Sequence, residues 1–223
     1  FSDQVFAGKV YQDFVKTLLA HGTTTAMMFG TIHVDANMVL ADECRRQGLR
    51  GYVGQVTMDN PEQTPDYYRD HSAEDALAAS EQFIQWVQAS PDPDSLVTPV
   101  ITPRFVPSCT NAALAGLGRL AAKYDLPIQS HVSESNWESQ YAIDRFGMHD
   151  AEVLNRFGLL TSRAVMAHGT QLTGRDMQLL RKQQTAIAHC PISNIYFGNG
   201  VLPVHQLLAM GNRVGLGSDI SGG

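Results

Sequence analysis

Apolar residues along this chain switch repeatedly between two spacings. Val5, Phe6, Val10, Phe14 and Leu18 recur at the three-to-four-residue interval of an amphipathic helix, which His21-Gly22 closes. Residues 23–29 (TTTAMMF) then read as a strand, 35–47 as a helix stopped by Gly48, and 50–56 as a strand. The stretch with Asn60-Pro61 and Thr64-Pro65 is the longest irregular one, and such loops in compact domains are commonly functional. Residues 72–89 form a helix whose Ser72-x-x-Asp75 start resembles a capping box with Asp in place of Glu or Gln.

The second half repeats the alternation. Strands are expected at 96–105, 126–132, 163–168, 185–190 and 213–218. Helices are expected at 110–123, 136–146, 150–157, 173–184 and 202–210, with Thr110 and Asn111 as cap candidates. Pro127 suits the first position of its strand, where no ladder donor is missed. Strand-helix alternation implies parallel pairing with right-handed crossovers. Seven strands are one short of a closed (β/α)8 barrel, and the first helix precedes the first strand. The fold class is therefore α/β, a TIM-type barrel in which strands 2–8 are present, with residues 1–223 as a single barrel domain. A doubly wound open sheet is the alternative. It commonly carries a Gly-rich phosphate turn, and no G-x-G-x-x-G occurs here.

Composition narrows the function classes. Apolar residues make up 43% and charged ones 17%, below the roughly 25% of an average soluble domain, so a large core is available. A net charge of -6 argues against a nucleic-acid partner. No apolar run approaches the roughly 20 residues that span a bilayer. Cys44, Cys109 and Cys190 are few, far apart and without a C-x-x-C pair. A disulfide framework and a thiolate metal site are not expected, and the setting reads as reducing and cytoplasmic. Cys190 is a small buried hydrophobe by the same reasoning, without a clear orienting partner to make it a nucleophile. The start at Phe1 and the end at Ser221-Gly222-Gly223 read as cut points in a longer protein.

Three polar residues then stand out by position. His131, His168 and Asp219 follow the apolar runs LPIQ, RAVMA and RVGLGS. The C-terminal rim of a parallel barrel is where such enzymes place their chemistry. Two imidazoles and a carboxylate there suggest a hydrolytic metal site, whose ion lowers the pKa of a water so that hydroxide exists near neutral pH. A lone histidine after an apolar run is more often structural; three strand-end residues together are harder to explain that way. His168 could be a third ligand or could orient the water. Glu134, three residues after His131, could relay protons; its plainer reading is an acid at the start of the next helix. Arg104, after Pro103 at a strand end, has a surface ion pair as its plainer reading. His189 reads by itself as a satisfied core histidine.

The segments TPRF, QSHVSE, VMAHG, AHCPISN and VGLGSDISGG resemble the guanine deaminase branch of the amidohydrolase superfamily. The likeness runs from HGTTTA at 21–26 to the end. QSHVSE, MAHG and GLGSD are general to metal-dependent deaminases and chlorohydrolases, whereas TPRF and GQVTMD point more narrowly to guanine. The resemblance implies hydrolytic deamination of guanine to xanthine and ammonia. It implies one zinc ion per subunit, with iron or manganese also suited to these donors. His131 and Asp219 would be ligands, and Glu134 would relay protons. His168 would steady the hydroxide. Arg104 and Phe105 would hold the purine, and His189 and Asn194 would line the wall. A homodimer is implied by the resemblance alone.

Two departures accompany it. The family's H-x-H pair on the first strand is absent; His21 ends a helix and His33 begins the next loop. The flanking β-rich domain is absent too. By itself the span is expected to bind zinc poorly and to be nearly inactive; stoichiometric zinc retained by it would contradict that. The alternatives are a related aminohydrolase or chlorohydrolase acting on another amino-heterocycle, such as a triazine, a pterin or an adenosine-type thioether, and a metal-free scaffold barrel. A scaffold would be expected to have lost some of these side chains.

Overall fold

The structure, a computed structural model, describes residues 1–220. Two compact units divide the chain, Phe1–Thr102 and Pro103–Gly223.

In the first unit, α1 (Gln4–Ala20), β1 (Thr25–Phe29), α2 (Val34–Gln47), β2 (Arg50–Thr57) and α3 (Ala73–Ala89) lead into β3 (Val97–Pro103). Asp3 starts α1 by accepting the Val5 and Phe6 amides, and Gly48 ends α2 at φ 84°, a left-handed cap that glycine adopts without strain. β1 and β2 pair in parallel from Thr25↔Arg50 to Phe29↔Gly54. Their shared core holds Ala7, Val15, Leu40, Cys44, Leu49, Val53 and Phe83. Buried Asn37 closes the β1–α2 turn: it accepts the Thr31 amide at 2.9 Å and donates to the Thr31 carbonyl at 2.8 Å. The loop around Asn60-Pro61 is less irregular than its sequence suggests. The Asp70 carboxylate accepts the Met58 amide at 2.8 Å, the Asp70 amide returns to the Met58 carbonyl at 2.7 Å, and Asp66–Tyr68 make a 3-10 turn.

The second unit runs α4 (Asn111–Tyr124), β4 (Ile128–Val132), α5 (Asn136–Phe146), α6 (Asp150–Arg156), β5 (Ala164–His168), α7 (Gly174–Gln183), β6 (Ala186–His189), α8 (Pro191–Tyr196), α9 (Val204–Ala209) and β7 (Arg213–Leu216). β4 to β7 pair in parallel in sequence order, with Ile128↔Ala164, Val165↔Ala186 and Ala186↔Arg213 in register. Thr110 caps α4 as expected, and Thr173 with Asp176 forms a full capping box on α7. Cys44, Cys109 and Cys190 are buried, and no disulfide joins them. Among the described residues, no helix is long and apolar enough to cross a membrane.

Gly118 marks the tightest helix approach in this unit. A Cβ there would collide with the Phe157 carbonyl oxygen, which is backbone and cannot rotate away. Alanine in a helix normally gains about 1 kcal/mol over glycine, but overpacking costs about 1–3 kcal/mol. Gly118→Ala is therefore expected to lower the urea midpoint; an unchanged or raised midpoint would show that the two helices can part freely.

The expected elements appear with ends shifted by a few residues, and one α-helix is added. The strand expected at 96–105 stops at Pro103, because beyond it the Arg104 carbonyl turns to serve His131. The segment 191–196, read from sequence as connection, is α8, with Pro191 in its first turn.

Candidate active site

The site is built on the C-terminal ends of β4, β5 and β7, all within the second unit. His131 lies on β4, and both its backbone amide and its ring Nδ1 reach the Arg104 carbonyl, at 3.0 and 2.6 Å. A carbonyl can only accept, so Nδ1 carries the proton and Nε2 keeps its lone pair. Burial, then the neighbouring His168, pushes the His131 pKa down to about 4, so the ring is neutral at pH 7. That is the form a metal ligand requires.

After β4 the chain turns sharply, with Ser133 at φ 48°. The buried Asp150 carboxylate accepts both the Ser133 amide and its hydroxyl, the latter at 2.6 Å. Glu138, also buried, accepts the Glu134 amide at 2.7 Å. Burial, then Asp150, raises the Glu138 pKa well above the carboxylate range. The Thr170 hydroxyl holds the Glu134 carbonyl at 2.7 Å. The main chain under Glu134 is thus fixed by three side chains.

His168 ends β5 at φ 73° and is 1% exposed. Its Nδ1–H donates to the Asn194 side-chain oxygen on α8 at 2.9 Å. Its Nε2 lies 3.7 Å from Glu134 Oε2 and 4.0 Å from Asp219 Oδ2. The His131 and His168 rings stack at 5.2 Å, 15° from parallel. Asp219 has φ 53°. Left-handed backbone at three non-glycine residues costs of order 1–3 kcal/mol each. Hydrogen bonds between Asp150 and Ser133 and between His168 and Asn194 hold the first two of these turns.

Arg104 and Phe105 border this group. The guanidinium lies 5.4 Å from the Phe105 ring centroid, and the ring meets His131 edge-on at 6.4 Å and Trp137 at 6.0 Å. His189 Nδ1 and Asn194 Nδ2 are buried without a hydrogen-bond partner. Burial raises the Cys190 thiol to about 11, which fits an inert side chain. His21 and His33 cap α1 and α2 respectively, and His21 Nδ1 donates back to Thr17.

The donors suit a divalent cation. Two imidazoles have one nitrogen fixed by an acceptor, and the His168 Nε2 faces two carboxylates beyond hydrogen-bond distance. Among the described residues, no three His, Cys, Asp or Glu side chains are already drawn to ligand spacing. Residues 221–223 of the VGLGSDISGG segment lie outside the described residues.

The amidohydrolase family model matches residues 3–223. The chain belongs to the amidohydrolase family. This amidohydrolase is 40% identical over 219 residues to the probable guanine deaminase of Schizosaccharomyces pombe, covering 97% of the chain and 41% of that protein. It is 39% identical to the guanine deaminase of Dictyostelium discoideum, covering 100% of the chain and 49% of that protein. The crystal structure of guanine deaminase from C. acetobutylicum with bound guanine in the active site superposes with a TM-score of 0.94 at 36% identity, over 100% of this chain and 52% of that one. The chain spans about half the length of the relatives it matches. The α/β class and the seven strands of a (β/α)8 barrel are borne out for this amidohydrolase.

Sequence reading brought forward His131, Glu134, His168 and Asp219, and the structure brings those four together. Arg104 and Phe105 lie beside His131. It missed the residues behind them: Glu138, Asp150, Thr170 and Asn199. It named Asn194 but not its grip on His168. The Ser193-Asn194 pair after Pro191 was the local signal available for it.

Proposed function

We propose that the protein carrying this chain hydrolyses guanine to xanthine and ammonia. The observation that carries the reading is the buried His168, set between Glu134 and Asp219 and held from behind by Asn194, beside an Arg-Phe pair suited to a planar base. The guanine deaminase relatives support the substrate class.

His131, His168 and Asp219 would hold the metal, proposed as zinc from its imidazole and carboxylate donors, with iron or manganese accommodated by the same set. Bound there, the ion supplies a water acidic enough to act as a nucleophile near neutral pH. Glu134 would take the first proton of the attacking water and deliver it to a ring nitrogen as the amino-bearing carbon is attacked. Asp219 would accept the second, from the hydroxyl now on that carbon, and pass it to the departing amine, which leaves as ammonia. His168, whose Nδ1–H is engaged by Asn194, would act through Nε2 as a ligand of the ion. Arg104 donates to the ring acceptors, and Phe105 packs on the purine face. The same proposal includes residues 1–223 as one barrel domain, supported by the span of the family match. It also includes the homodimer implied by the resemblance and the cytoplasmic setting read from the cysteines.

Substrate choice rests on Arg104. A charge-assisted hydrogen bond is worth about 1.5–3 kcal/mol, so Arg104→Ala is expected to lower kcat/KM for guanine about tenfold or more. Amino-heterocycles lacking the matching acceptors should lose little. Equal losses across a panel of purines, triazines and pterins would remove Arg104 from recognition.

A further inference from the structure

Asn199 follows α8 in the Gly198-Asn199-Gly200 turn, 65 residues from Glu134. Its Nδ2 donates to Glu134 Oε1 at 2.9 Å. The other carboxylate oxygen, Oε2, faces His168 Nε2. The Asn199 backbone is itself held on two sides. Its amide donates to the Asn194 carbonyl at 3.0 Å, and its carbonyl accepts from Gln171 Nε2 at 2.6 Å and from the Thr170 hydroxyl at 3.1 Å. Thr170 also bonds the Glu134 carbonyl. One short segment, Asn194 to Asn199, therefore carries the side chains that contact His168 and Glu134.

A carboxylate on a flexible stem has two equivalent oxygens and several rotamers. A proton relay needs one oxygen held toward the reacting atoms. An amide N–H that occupies Oε1 breaks the equivalence and leaves Oε2 as the oxygen that gains and gives up the proton.

We propose that Asn199 is a positioning residue for the reaction: its amide pins Glu134 Oε1 so that proton transfer runs through Oε2. The proposal rests on Glu134 acting as proton relay in the function proposed above. Asn199→Asp keeps the shape, removes the donor and sets a second carboxylate against the first. In the full-length, metal-loaded protein, kcat is expected to fall about tenfold or more, the scale of losing a hydrogen bond to a charged group, with KM and bound metal within twofold of the parent. A merely structural role would lower the residual rate of Glu134→Gln by the same factor. Positioning predicts that Asn199→Asp adds less than twofold in the Glu134→Gln background, because the group it serves is already gone. An unchanged kcat, a matching rise in KM, or full additivity would overturn the proposal.

A crystal structure of the full-length protein reads the contact without turnover. Nδ2 within hydrogen-bond distance of Oε1 supports the proposal, and a Glu134 carboxylate turned away from Asn199 overturns it. A parent that leaves guanine unchanged but deaminates another heterocycle would sink the substrate reading alone, and the same comparison is then made on that heterocycle.

Discussion

Glu134→Gln is expected to lower kcat for deamination about 10²–10⁴-fold, the range set by losing a positioned general acid-base group. Glutamine keeps the size and can still accept a hydrogen bond at one oxygen, so the turn after β4 should survive. The turn is held by main-chain contacts to Glu138 and Thr170, which the substitution does not touch. What disappears is the capacity to take a proton and give it back. On the proposed reading Arg104 and Phe105 hold the substrate, so KM should change little. Steady-state ammonia release, with bound metal measured on the same sample, separates the outcomes. A loss below tenfold would mean that another group moves the proton. A loss that tracks missing metal would mean that Glu134 acts as a ligand.

The second large effect is expected at a residue one layer back. Asn194→Leu removes the acceptor for His168 Nδ1–H and leaves a fully buried ring nitrogen without a partner. A buried donor left unpaired costs about 1–3 kcal/mol. The ring can escape that cost by changing tautomer or rotating, and either change withdraws the Nε2 lone pair from the site. Outer partners of ligating histidines are typically worth 10–100-fold in metal affinity or activity. A drop of that size is expected in zinc affinity or in kcat at saturating zinc, read by metal titration followed by turnover. Wild-type values in both would show that the packing of α8 alone fixes the ring.

The strand ends were legible because each one closes a short apolar run with a polar residue. LPIQSH, RAVMAH and RVGLGSD have that form, and their shared rim follows from strand-helix alternation. The helix caps at Ser72 and Thr110 were likewise local signals. The end of β3 was not legible. The β-former Phe105 lies two residues past Pro103, but Pro103 is the last strand residue and the Arg104 carbonyl is taken by His131. The helix α8 is six residues long, too short to show a helical period. The layer that aims the site was hidden for a different reason. Asn199 meets Glu134 across 65 residues, Asp150 meets Ser133 across 17, and Asn194 meets His168 across 26. No local pattern encodes contacts of that range; they arise only when consecutive strands are brought side by side.

The measurement that bears most directly on the central claim is ammonia release from guanine by the full-length, zinc-loaded protein, alongside a panel of other amino-heterocycles. The account predicts turnover of guanine to xanthine and a preference for guanine over the rest of the panel. Zinc bound with no release from guanine, and faster release from a triazine or a pterin, would contradict it.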